Sequence, residues 1–255
     1  MNTKEINLQK GKKIYFASDF HLGAPDASTS LQREKKIISW LNQIKSDVQE
    51  LYILGDVFDF WYEYKYVAPR GFVRFLAKIA EFTDEGIPVL FFKGNHDMWM
   101  KEYLTKEVGV VIYDDTLELM INDFEMLIGH GDGLGPGDSF YKILRKIFRS
   151  GWAKWLFTRF HPNFSFWLAN TWSGHSRLHN KDDQHHHGEK EMIFQFCQEQ
   201  QKNKHRDLYL FGHRHLPMEM HLINDGKYVN LGEWIQHFTY GEYDGDSFSL
   251  KKYEA

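Results

Sequence analysis

Short runs of apolar, β-branched and aromatic residues recur along the chain: KIYFAS, ELYILGD, PVLFFKGNHD, GVVIY, TLELMI, FEMLIGHGD, DLYLFGH, MEMHLI, KYVNLG and SFSLKKY. Their length and their Gly, Asp or Asn boundaries predict strands. Between the early runs, apolar positions recur at helical spacing over 31–46 and 71–85, and again over 189–203. Strand and helix therefore alternate in the first half, and strands dominate the end. That order predicts a mixed α/β sandwich of two packed sheets. Repeats and low-complexity tracts are absent.

One segment breaks the pattern. From Phe140 to Trp172 there is no Asp or Glu, but there are Lys142, Arg145, Lys146, Arg149, Lys154 and Arg159. Half of the chain's 8 tryptophans fall there too: Trp152, Trp155, Trp167 and Trp172. We expect helices inserted between core strands, followed by a polar loop, SGHSRLHNKDDQHHHGEKE. Lys142, Arg145, Lys146 and Arg149 share one helical face, and Phe140, Ile143, Leu144, Ile147 and Phe148 the other. Such a helix is either an ordinary amphipathic helix with a solvated basic face or one that lies in an anionic bilayer interface. The triplet His185, His186 and His187 sits in a polar loop and reads as a solvated turn.

Composition narrows the function. With 255 residues and 42% hydrophobic content, the chain supports one large domain, expected over 1–255 with 139–188 as the insertion. A net charge of -4 argues against a nucleic-acid partner. Cys197 is the only cysteine, so neither a disulfide framework nor a CxxC site exists and a reducing, cytoplasmic address fits. The polar start MNTKEINLQKGKK lacks an apolar signal region, and no apolar run is long enough to span a membrane.

Five strand ends carry polar groups. SDFHLG brings Asp19 and His21, LGDVFDFW brings Asp56 and Asp59, and KGNHD brings Asn95, His96 and Asp97. IGHGD brings His130, and LFGHRH brings His213 and His215. Ligands collect beyond the carboxyl ends of strands in α/β sheets, so these tips are expected to converge. Asp19, His21, Asp56, Asn95, His130, His213 and His215 form a donor set too large for one tetrahedral ion and suited to two. Nitrogen and oxygen donors of this kind fit manganese, iron or zinc. Two ions about 3.5–4 Å apart clamp an in-line displacement at phosphorus.

In this order, D-x-H, G-D-x-x-D, G-N-H-D, G-H and G-H-x-H resemble the signature of calcineurin-like metallophosphoesterases, from about Ile14 to Asn230. The resemblance implies a four-layer αββα sandwich with a helical insertion cap and a dimetal site at the sheet edge. It implies Asp19, His21 and His215 on one ion, Asn95, His130 and His213 on the other, and Asp56 bridging them. His96 would act on the phosphoryl group, with Asp59 orienting it. Two divalent ions, manganese foremost, are the expected cofactors. SDFHLG, LGDVFDFWYEY, GNHDMW and HGDGLGPGDSFYK further resemble the UDP-2,3-diacylglucosamine diphosphatases of lipid A biosynthesis. There the insertion is a lid over two acyl chains, and Asp138 and Asn180 match substrate-contact positions. Arg145 and Arg149 suit the pyrophosphate. His96 stands where better-known members carry Arg, and Asp183 and Gln184 occupy the region of a substrate-facing lysine. The expected activity is hydrolysis of that nucleotide-diphospho-lipid to UMP at the inner face of the cell membrane, with peripheral contact to anionic lipid and no protein partner. A metallophosphoesterase of another specificity is the alternative.

Overall fold

The computed structural model describes residues 3–137, 139–168, 171 and 185–254, so Asp138 and Asn180 lie outside the described residues. One sheet orders its strands β12 (Phe248–Lys252), β11 (Thr239–Tyr243), β2 (Lys13–Ala17), β3 (Val48–Ile53), β4 (Val89–Phe92) and β5 (Val111–Tyr113). The other runs β1 (Thr3–Ile6), β6 (Leu117–Ile121), β7 (Phe124–Gly129), β8 (Leu208–Phe211), β10 (Lys227–Asn230) and β9 (Met218–His221). Each of the ten apolar runs in the sequence supplies a strand. The expected helices appear as α1 (Ala27–Ile44), α2 (Val73–Asp84) and α6 (Met192–Asn203). Among the described residues β1, β11, α3 (Tyr103–Val108) and a 3-10 turn at Gly188–Lys190 are additional to the elements the sequence predicts.

Period-two alternation builds the layers. In and just beyond β3, Leu51 and Ile53 join a core with α1 and α2, whereas Tyr52 and Leu54 pack between the sheets. In β7, Met126 and Ile128 face the inter-sheet core, and Leu127 meets Ile193, Phe194 and Cys197 of α6. Helices thus cover both outer faces, which makes the four-layer αββα sandwich. Burying each of these large apolar side chains contributes about 1.5–3 kcal/mol. β2, β3, β4 and β5 are parallel, as are β7, β8 and β10. Their carboxyl ends therefore open on common edges.

Between β7 and α6 lie α4 (Ser139–Arg149) and α5 (Gly151–Phe157). Phe148 and Phe157 pack on Tyr62, Met98 and Trp99, from the loops after β3 and β4. Trp99 Nε1 donates to Phe148 O at 2.8 Å, and Tyr62 Oη donates to Lys154 O at 2.9 Å. The two faces of α4 are disposed otherwise than a solvated basic stripe requires. Arg145 Nε lies 2.6 Å from Asp132, and Arg149 Nη1 lies 3.1 Å from Asp115. Ile143 and Ile147 are 58% and 46% exposed instead. Acids outside the segment draw the arginines inward, an interaction that the helix's own periodicity does not contain.

Candidate metal centre

The five tips converge. Their backbone leaves the strands through left-handed turns at Asp19 (φ 56), His21 (φ 44), Asp56 (φ 51), His213 (φ 69) and His215 (φ 54). Each such residue costs about 1–3 kcal/mol and persists only where its surroundings hold it. Arg33, buried in α1, donates to Phe20 O at 3.1 Å and His21 O at 2.7 Å. The Asp97 carboxylate accepts from Val57 N and Gly94 N, each at 2.8 Å, and so ties the Asp56 loop to the Asn95 loop. A Cβ at Gly94 would collide with the Asp56 carboxylate, so glycine is required by this close approach.

Several donors are aimed by a partner. His213 N donates to Asp19 Oδ2 at 3.0 Å, and Ser18 Oγ donates to the same oxygen. Asp19 Oδ1 then stands 3.2 Å from His215 Nε2 and 3.7 Å from His21 Nε2, and the two imidazole nitrogens are 3.1 Å apart. His96 N donates to Asp56 Oδ1 at 2.9 Å. Asp56 Oδ2 stands 3.4 Å from His130 Nε2 and 3.8 Å from His21 Nε2. His130 Nδ1 donates to Leu54 O at 2.8 Å, which turns Nε2 toward Asn95 Oδ1 at 3.1 Å. The His213 ring lies 5.1 Å from the His130 ring, centre to centre. All seven donors named from the sequence are therefore drawn into one cluster.

Does this cluster fit metal ions? Asp19 Oδ1 and Asp56 Oδ2 are buried without a hydrogen-bond partner among the described residues. A buried carboxylate oxygen left so is costly unless a cation meets it. Electrostatics point the same way. Burial alone would push His21 down, but Asp19 and Asp59 push it up to about 10. Burial likewise opposes charge on His130, yet Asp56 raises it to about 10. Burial would raise Asp56 and Asp19, but the surrounding imidazoles hold both below the usual carboxylate range. The nest concentrates negative potential on nitrogen and oxygen donors, which is what divalent ions require.

His96 and Asp59 sit beside this nest. His96 Nδ1 donates to Asp59 O at 3.0 Å, so the backbone of Asp59 aims the ring. The Asp59 carboxylate lies 3.6 Å from His21 Nδ1 and 3.8 Å from His96 Nδ1, between two imidazoles. Burial pushes His96 below its ordinary value. Arg145 and Arg149, with Gly133, Lys142, Lys146 and Ser150, line a cavity of about 460 Å³. Arg33, Asp97 and Asp132 carry no sequence assignment, although Arg33 has a signal. It falls with Ser30, Ile37 and Leu41 on the buried stripe of α1, where a charge is out of place.

Cations satisfy such a nest, and the comparisons with known proteins give the protein's class, a metal-dependent hydrolase of phosphoric compounds. It belongs to the calcineurin-like phosphoesterase family, whose model matches residues 12–217. It is similar to the UDP-2,3-diacylglucosamine hydrolase of Porphyromonas gingivalis (strain ATCC BAA-308 / W83), 34% identical over 95% of this chain and 98% of the relative. The enzyme of that name from Vibrio vulnificus (strain YJ016) is 25% identical over 93% of this chain and 96% of its own. Among solved structures, Yfce, a phosphoesterase from E. coli, is 16% identical with a TM-score of 0.47, covering 94% of this chain and 92% of that chain.

Proposed function

We propose that the protein hydrolyses the pyrophosphate bond of UDP-2,3-diacylglucosamine, releasing UMP and 2,3-diacylglucosamine 1-phosphate, in lipid A biosynthesis. The observation that carries this reading is the 34% identity to a hydrolase of that name over 95% of the chain. The exposed apolar surface of the insertion supports it: Trp152 and Trp155 are 67% and 53% exposed beside Ile143 and Ile147. A water-soluble substrate has no use for such a surface, whereas acyl chains and a bilayer do.

Asp19, His21 and His215 would hold one ion, Asn95, His130 and His213 a second, and Asp56 both; manganese is the first choice. Bound there, divalent ions supply charge neutralisation at the phosphoryl oxygens and make water more acidic. His96 acts on the phosphoryl group through Nε2, because Nδ1 is committed to Asp59 O. Nε2 then carries a proton only in the imidazolium, and the anionic substrate offsets the downward push of burial. Water adds to one phosphorus as the bridging P–O bond breaks, and UMP leaves. The chain forms a single domain over 1–255, with 139–188 as a lid whose Arg145 and Arg149 meet the head group; the matched substrate positions Asp138 and Asn180 lie outside the described residues. Among the described residues no helix is long and apolar enough to cross a membrane. The apolar insertion surface instead seats the protein peripherally on anionic lipid at the inner face.

Incubation of the purified protein with manganese and UDP-2,3-diacylglucosamine in detergent should release UMP. Turnover of water-soluble phosphodiesters with no UMP from the lipid would assign it another specificity.

A further inference from the structure

The insertion meets the metal centre at both of its roots, and each meeting is a buried ion pair. At the first root, Asp132 is two residues beyond His130 and 3% exposed. Tyr141 Oη, from α4, donates to Asp132 Oδ2 at 3.0 Å, and Arg145 Nε lies 2.6 Å from the same oxygen. At the second root, Arg214 stands between His213 and His215 in sequence. Its Nε donates to Glu191 Oε2 at 2.8 Å and its Nη2 to Glu191 Oε1 at 3.1 Å. Nη2 also donates to His185 O at 3.0 Å, and His187 N donates to Glu191 Oε1 at 3.0 Å. Glu191 is 2% exposed and immediately precedes α6.

Surface ion pairs contribute little, but these carboxylates are buried, where losing one partner strands the other's charge. Apolar side chains would fill the same space at no desolvation cost, so stability alone does not account for two such pairs. Their common feature is the neighbour each one holds: His130 at one root, His213 at the other, with rings 5.1 Å apart. His213 needs such a hold, because its backbone is in the left-handed region.

We infer that Asp132–Arg145 and Glu191–Arg214 are paired struts that couple the insertion to the half of the metal centre formed by His130 and His213. Toward the ions the four are positioning residues, Arg145 in addition to its proposed contact with the head group. Arg145 acts on the site through Asp132, and Arg214 fixes the path of the chain between two metal-binding histidines. Coupling of this kind is reciprocal: a cation at His130 and His213 steadies the insertion, and a displaced insertion loosens that cation. This inference rests on the two-ion reading of the centre.

The test uses the full chain and manganese alone, without substrate. Asp132→Asn and Glu191→Gln each remove one buried charge while keeping shape. The double variant Glu191→Gln/Arg214→Gln removes both charges of one strut and leaves no stranded arginine, so it decides the matter if a single variant fails to fold. Calorimetry of each folded variant should show one ion weakened by about 10–100-fold, the usual range for residues that support ligands, with the other unchanged. Manganese should also protect 139–157 from proteolysis in the wild-type chain and protect it less in the variants. Wild-type affinity for every ion in variants that are folded by circular dichroism would overturn the inference. A wild-type chain that binds a single ion defeats the two-ion reading; the inference then falls only if that ion binds the variants equally well. Failure to release UMP bears on the proposed substrate and not on these struts.

Discussion

Asp56 directs Oδ2 toward His130 Nε2 at 3.4 Å, and the same oxygen faces His21 Nε2 at 3.8 Å. In the proposed two-ion reading those imidazoles belong to different ligand groups, and one carboxylate would serve both. Asp56→Ala should therefore abolish turnover and loosen both ions, whereas His21→Ala should weaken mainly one. Elemental analysis after gel filtration reads the difference. Two tightly retained ions in Asp56→Ala would show that the carboxylate does not bridge.

His96 donates its backbone N–H to Asp56 and its ring Nδ1–H to Asp59 O, and the proposed reading assigns its chemistry to Nε2. His96→Ala should lower turnover by about 10² to 10⁴, the range of a positioned acid or base. Metal content should stay near wild type. Loss of an ion would make His96 a ligand instead.

Ile143 and Ile147 spend their apolar surface on solvent. Replacing both with Glu should leave the melting temperature nearly unchanged, since neither packs in a core. Each isoleucine moved into lipid is worth about 1.5–3 kcal/mol. The double variant should lose most binding to anionic vesicles and show a raised KM for the acylated substrate. Cosedimentation equal to wild type would remove this face from any lipid role.

Glu118 ties β6 to the start of β8 through Arg206 and through Lys204, whose Nζ is 3.2 Å away. Burial alone would raise its carboxyl, but the two cations hold it below its ordinary value of 4.5. A lowered folded-state value gives stability that is present above pH 4.5 and lost as pH falls through the folded value. Glu118→Gln should thus be about 1.5–3 kcal/mol less stable at neutral pH, the range for hydrogen bonds to charged groups. That gap should close in acid, as urea titrations across pH would show. A gap independent of pH would mean that the charge contributes nothing.

The donor residues were legible because each follows a run of buried strand residues and precedes a turn, a pattern written in consecutive positions. β11 was not. Its sequence TYGEY mixes Gly and Glu, and it holds as a strand because Gly241 admits the Phe248 ring and Glu242 pairs with Lys13 and Lys251. β1 is an edge strand in which only Ile6 is buried, so it carries no alternation to read. The sequence names Asp59 as the residue that orients His96 but not which of its atoms does so, and the ring Nδ1–H donates to the Asp59 carbonyl oxygen. The orientation of α4 depended on Asp114, Asp115 and Asp132, which lie elsewhere in the chain. Local periodicity finds a helix and its two faces; distant charges decide which face turns inward.

His213 N meets Asp19 Oδ2 across 194 residues of chain. Contacts of such long sequence separation form late, because closing the loop must precede any reward from the contact. On the ribosome, Asp19, His21 and Asp56 emerge early on neighbouring strands, where His21 N donates to Asp56 O at 2.9 Å, and meet His213 and His215 only when β8 docks. A chain halted before Gly212 has five of the six parallel strand pairings but lacks His213 and His215. On the proposed reading the donor set is therefore completed in one step, when β8 docks, and chains that stop before it should be inert as hydrolases rather than partly active.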